Sequence, residues 1–174
     1  MKRGTRNAEP GPKTEVGTKT LRAQLSHVPE LSIRSLQRRV RLDLPWLRRF
    51  AAVAIEECLP VSGDEGFALS RLEEISVAIV SDRRIAELHV EFMSIEGATD
   101  VITFEHGDIV ISAETAQTQA RDYAQPVDHE IALYLIHGLL HLNGFDDLEA
   151  RARRRMHAVQ ARVMRACLRR LPGG

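Results

Sequence analysis

Leu31-Ser-Ile-Arg-Ser alternates apolar and polar side chains, the period-two pattern of a half-buried strand. Over residues 44–59 the apolar positions instead recur at three- and four-residue steps, and Pro45 suits a first helical turn, so a helix follows. The β-branched run Ile75-Ser-Val-Ala-Ile-Val predicts a second strand. Residues 82–92 place Ile85, Leu88 and Phe92 on one side, with Ser81 or Asp82 as cap, which predicts a second helix. Val101-Ile-Thr-Phe and Asp108-Ile-Val-Ile-Ser read as short strands three residues apart, with Gly107 between them, which is hairpin spacing. Three helices are expected afterwards, over residues 112–123, 128–142 and 148–171, with Pro126 separating the first two. The order is βαβαββααα, with no repeat and no heptad array. In the last helix Leu148, Ala152, Met156, Val159, Val163 and Cys167 form an apolar stripe that reads as core packing.

Composition narrows the class. A chain of 174 residues with 44% hydrophobic content supports one domain with a substantial core, expected over residues 28–171. Residues 1–27 carry six Lys or Arg against two Glu, with Gly, Pro and Thr and few large apolar side chains, and are expected to form a disordered basic arm. Formal charge is zero overall, so composition does not signal a strongly basic nucleic-acid binder, yet residues 148–171 hold eight Arg against one Glu. Two distant cysteines, Cys58 and Cys167, fit no CxxC pattern and point to a reducing compartment. The longest apolar runs, residues 50–55 and 131–136, are far shorter than the roughly 18 residues a bilayer span needs. No apolar segment follows the basic N-terminal residues as a secretory signal would require. The expectation is a soluble, cytoplasmic protein without a membrane partner.

The chemistry concentrates in His137-Gly-Leu-Leu-His141-Leu-Asn-Gly144-Phe-Asp146-Asp147. Histidines four apart share a helical face and can present two nitrogens to one ion. Gly144 is suited to the left-handed turn that ends a helix, which would carry Asp147 back toward both imidazoles as third ligand. Three protein ligands leave a coordination position open for water activated near neutral pH. In zincin peptidases a Glu directly follows the first His and acts as general base. Gly138 stands there instead, which disfavours peptide hydrolysis.

This motif, with Thr99-Asp-Val-Ile-Thr-Phe and Gly107-Asp-Ile-Val-Ile-Ser upstream, resembles the YbeY family of ribosomal-RNA maturation endoribonucleases over residues 30–168. The resemblance implies an α+β, zincin-like fold: a small mixed sheet of about four strands backed by about five helices, with the metal site on a central helix. It further implies a metal-dependent, single-strand-specific endoribonuclease that acts in 16S ribosomal RNA maturation and ribosome quality control. Its partners would be ribosomal RNA and small-subunit components, not DNA. His137 and His141 match the first two family ligands, and Gly144, Phe145 and Asp146 match the Gly-aromatic-Asp before the third. Where the family usually has a third His, this chain has Asp147. The implied ligands are therefore His137, His141 and Asp147 for one divalent ion, zinc first, with manganese or iron favoured somewhat by the added carboxylate. His137, His141 and Asp146 are the expected catalytic residues: if water is the nucleophile, Asp146 or another acid orients it, and if the 2′-hydroxyl attacks, the ion mainly stabilises charge, a choice the sequence leaves open. Where the family tends to have Arg, this chain has Met93, so phosphate holding is vacant or moved to the basic last helix. His89, His106, His129 and His157 sit in no matched motif and read as surface or structural histidines. Two rival readings stand beside the nuclease: a non-catalytic ribosome-assembly factor with a structural metal, which Met93 favours, and a hydrolase of another substrate.

Overall fold

The computed structural model describes residues 27–64 and 68–171. The expected N-terminal arm lies outside the described residues except for His27. The first strand, β1 (Glu30–Ser35), is followed by helix α1 (Leu44–Cys58) and, after the short 3-10 turn Leu69–Arg71, by β2 (Glu74–Val80). Helix α2 (Asp82–Met93) leads to the hairpin β3 (Val101–Thr103) and β4 (Asp108–Ser112). Three helices complete the order: α3 (Ala113–Asp122), α4 (Val127–Leu142) and α5 (Ala150–Arg170). This is the α+β arrangement expected, four strands and five helices.

The sheet order is β1-β2-β4-β3. β1, β2 and β4 run parallel because a helix-bearing crossover joins each to the next, whereas β3 pairs antiparallel on β4 through the hairpin. The register sets Ile33 against Val77, Val77 against Ile109 and Ile79 against Ile111. Since side chains alternate faces, this aligns one apolar row across the sheet. That row enters the main core with Leu47, Phe50, Ala54 and Cys58 of α1, Ile131, Leu135 and Leu139 of α4, and Met156, Val163 and Cys167 of α5. Each fully buried large side chain contributes about 1.5–3 kcal/mol. The opposite face holds a smaller cluster in which Ile85 of α2 covers Val80, Ile102 and Val110. Helices thus cover both faces, and α4 lies against β3 and β4 at the hairpin edge.

Capping follows the local chemistry. Asp43 accepts from the Trp46 amide at 2.9 Å to start α1, and its own amide donates to Asp128 at 2.9 Å, tying the starts of α1 and α4 together. Ser81, rather than Asp82, caps α2. Asp82 reaches across instead to Thr115, accepting from its hydroxyl at 2.9 Å and its amide at 3.2 Å.

One stripe residue is placed differently from the expectation. Leu148 is 82% exposed and precedes α5, because a turn over Asp146 delays helix entry to Ala150. Gln160 is a polar residue that joins the buried face of α5. Among the described residues no helix is long and apolar enough to cross a membrane.

Candidate metal centre and its cleft

Helix α4 is buried almost all round, so the two exceptions near its end stand out: His137 and His141 are half-buried and open on a cleft. The helix closes when the Gly144 amide donates to the His141 carbonyl and the Phe145 amide donates to that of Leu140, each at 3.0 Å. Gly144 has φ 81°, which any side chain would strain. The reversal lets Phe145 bury to 4% exposure and returns the chain along the helix.

Asp147 consequently faces both histidines. Its Oδ2 lies 3.6 Å from His137 Nε2 and its Oδ1 lies 3.8 Å from His141 Nε2. The two Nε2 atoms are 3.0 Å apart. One donor atom from each of the three residues lies within 4.8 Å of the others, the span of ligands around one ion.

The outer hydrogen bonds determine which ring nitrogens are free. His141 Nδ1 is 3.0 Å from the Phe145 carbonyl, which can only accept, so Nδ1 carries the proton and Nε2 a lone pair. Gln160 donates its amide to the Leu133 carbonyl at 3.1 Å, leaving its own carbonyl to hydrogen-bond the His137 ring. Two lone-pair-bearing Nε2 atoms beside a carboxylate repel one another unless a cation or proton lies between them, so the donor chemistry fits a divalent metal. Burial, then the neighbouring His141, holds the His137 pKa below its ordinary 6.5, against the opposing pull of Asp147.

Other residues hold the ligand loop. Arg153 donates to the carbonyls of Asp147 and Leu148 at 2.9 and 3.0 Å, and Arg155 lies 5.2 Å over the Phe145 ring. Asn143 accepts from the Leu69 amide at 3.0 Å and donates to the carbonyls of Cys58 and Val61. Asp146 accepts from the amides of Asp147 and Leu148 at 2.7 and 3.1 Å through one oxygen and also lines the cleft.

Gly138 faces the sheet. A Cβ there would meet Ile109 methyls at 2.9 Å and the Thr103 hydroxyl at 3.0 Å, so this position has no room for the carboxylate that peptidases carry. The cleft, of about 1250 Å³, runs from the β3 hairpin across α4 to α5. Asp100, Glu105, Glu130, Asp146 and Asp147 line it, and no Lys or Arg does among the described residues. Met93 is on its wall, so the Arg expected by resemblance has no replacement within the cleft itself. Of the remaining histidines, His157 lines the cleft. His106 binds Asp108 at 2.9 Å, His89 binds the Gly97 carbonyl at 3.0 Å, and His129 stacks on Trp46, as structural or surface groups do.

The sequence profile described as Endoribonuclease YbeY matches residues 49–167. The chain belongs to the YbeY family. Among its relatives, a Heliobacterium modesticaldum protein named Endoribonuclease YbeY is 32% identical over 113 residues, covering 53% of this chain and 68% of that protein. Relatives of the same name from Corynebacterium efficiens and an Anaeromyxobacter species are 35% and 41% identical. Those matches cover 56% and 57% of this chain and 62% and 57% of the relatives, so the chain spans only part of their length. The solution structure of a Thermotoga maritima protein superposes with a TM-score of 0.51 at 23% identity, covering 79% of this chain and 89% of that one, a likeness of fold. Within this YbeY chain, Gln160, Asn143 and Arg153 are the supporting residues that spacing alone did not single out. The signal for Gln160 was a polar residue amid the apolar stripe of α5.

Proposed function

We propose that this protein is a metal-dependent, single-strand-specific endoribonuclease acting in 16S ribosomal RNA maturation and ribosome quality control, in the cytoplasm and on small-subunit components. The convergence of His137, His141 and Asp147 in an open cleft carries this reading. Relatives named Endoribonuclease YbeY support the substrate class, and two buried free thiols accord with a reducing compartment.

The three residues would hold one divalent ion, zinc by preference. Such an ion supplies a Lewis acid for a phosphodiester oxygen and a nucleophile available near neutral pH. The chain's own contribution is orientation. Phe145 and Gln160 fix the two rings with Nε2 turned inward, and Gly144 with Arg153 holds Asp147 in place. Asp146 keeps one oxygen in its turn, which leaves the other to accept a proton from an attacking group. Residues 28–171 would act as one domain.

The lack of Lys and Arg among the described residues of the cleft favours one alternative, a non-catalytic assembly factor with a structural metal. A single experiment separates them. Purified protein is analysed for bound metal by mass spectrometry and incubated with single-stranded ribosomal RNA segments, beside His141→Ala. Cleavage that disappears with the substitution supports the nuclease. Cleavage that survives it rejects the metal mechanism, and bound metal without cleavage supports the alternative.

A further inference from the structure

A cleft lined by carboxylates repels the phosphates it is meant to receive. One bound divalent ion offsets only part of that charge, and Met93 contributes none. Attraction must come from outside the lining, and α5 supplies it. His157, Gln160 and Ala161 of this helix form part of the cleft wall.

The arginines of α5 divide by partner. Arg153 is bonded to the ligand-loop carbonyls, Arg155 to Asp64 and Ser62, and Arg170 to Glu56 and Glu57. Arg151, Arg154, Arg162, Arg165 and Arg169 are exposed, and their side chains form no hydrogen bond or ion pair among the described residues. At about 100° per residue these five fall within about 80° of the helix circumference, beginning immediately beside the His157 and Ala161 face. With Ala158 they follow three- and four-residue steps, so the row runs about 27 Å along the helix.

An unpaired guanidinium is weakly hydrated and donates in a fork that matches phosphate oxygens. Arginine rows held to acidic neighbours are ordinary solvated surface. Among the described residues this row makes no ion pair of its own; the paired Arg155 borders it, about 20° beyond Arg162, and keeps Asp64 to itself.

We propose that Arg151, Arg154, Arg162, Arg165 and Arg169 form a track that binds the sugar-phosphate backbone of single-stranded RNA and leads it along α5 into the metal cleft. The track takes over the phosphate holding for which Met93 is unsuited. This inference rests on the RNA-cleavage reading above.

The test uses the full chain and a fluorescein-labelled single-stranded RNA of about twelve nucleotides, a length within the usual range of single-strand sites. Binding is followed by anisotropy between about 50 and about 200 mM salt, with probe integrity checked on a gel. The triple variant Arg154→Gln, Arg162→Gln, Arg165→Gln is compared with a control triple at the exposed Arg34, Arg38 and Arg41. The track predicts roughly 10- to 100-fold weaker binding for the α5 triple. The slope of log K against log salt should fall by about 2, since each single-strand phosphate contact contributes about 0.7. The control should stay near wild type. Equal binding by wild type and α5 triple, equal weakening by both triples, or no binding by wild type overturns the track. Bound metal with no cleavage, but with track-dependent RNA binding, overturns the nuclease reading while keeping the track. Normal cleavage with an unchanged KM in the α5 triple does the reverse.

Discussion

The Phe145 carbonyl stands 3.0 Å from Nδ1 of His141, a residue four positions earlier, and this contact sets the tautomer of the ring. A carbonyl offers no proton, so the alternative tautomer would set two lone pairs against each other. Nitrogen NMR of selectively labelled histidine at neutral pH should find His141 protonated on Nδ1 and unprotonated on Nε2. Observation of the opposite tautomer would remove the argument that its free nitrogen is aimed at a cation.

Gly144→Ala tests the helix reversal. A Cβ at φ 81° costs about 1–2 kcal/mol. If the turn relaxes, Asp147 moves away from Nε2 of both histidines. Chelator competition should show metal affinity reduced by roughly 10-fold or more, with Tm lower by several degrees. Unchanged affinity with a lowered Tm would mean that the conformation of this turn does not govern the ion site.

Gly138→Ala sets two effects against each other. Alanine favours the helix by about 1 kcal/mol, but its Cβ would sit 2.9 Å from the Ile109 methyls in a fully buried layer, and overpacking costs about 1–3 kcal/mol. The clash should win, lowering Tm by about 2–6 °C as read by calorimetry. Gly138→Glu should fail to fold. A stable Gly138→Glu protein with peptidase activity would overturn the account of this position.

Asp147→His replaces an anionic ligand by a neutral one. The ion then bears more uncompensated positive charge and stabilises developing negative charge better. The pH–activity midpoint for RNA cleavage should move downward, and zinc should be preferred more strongly over manganese in a competition assay. An upward midpoint would contradict the assignment of Asp147 to the ligand set.

Burial raises the Cys58 thiol well above its ordinary range and pushes Cys167 up to about 12. Native protein at pH 8 should therefore resist alkylation at both sites, and denaturant should expose two reactive thiols. The sign for stability follows from proton binding. Between pH 9 and the folded values the unfolded chain loses thiol protons that the folded chain retains, so stability is complete below pH 9 and declines above it. Double replacement by alanine should flatten that alkaline decline in denaturant titrations.

Period and spacing made much of this molecule legible. Ile33, Val77 and Ile109 carry the period-two signal, Leu47, Phe50, Ala54 and Cys58 the helical one, and both survive because one face of each element meets the core. His137, His141 and Asp147 were legible because helix geometry and one glycine suffice to bring them together. Leu148 was misplaced because Asp146 captures two amides and holds the turn open, a competition between side chain and backbone that hydrophobic spacing does not register. Gln160 and Arg153 act on the site from a helix that follows it in the chain, and only packing joins them to it. The position of His157 on the cleft wall is likewise a fact of helix rotation.

Asn143 joins the amide of Leu69 to the carbonyls of Cys58 and Val61, immediately before the turn that aims Asp147. The last turn of α1 and the loop that carries Asp147 therefore share a single structural joint. A substitution where the end of α1 meets the end of α4, far from any substrate, would then act on the placement of Asp147, and loss of a bound ion would loosen that junction in return. Selection on either function would act on the same few atoms, so the tolerance of this chain to change at the end of α1 should be narrower than its packing alone would allow.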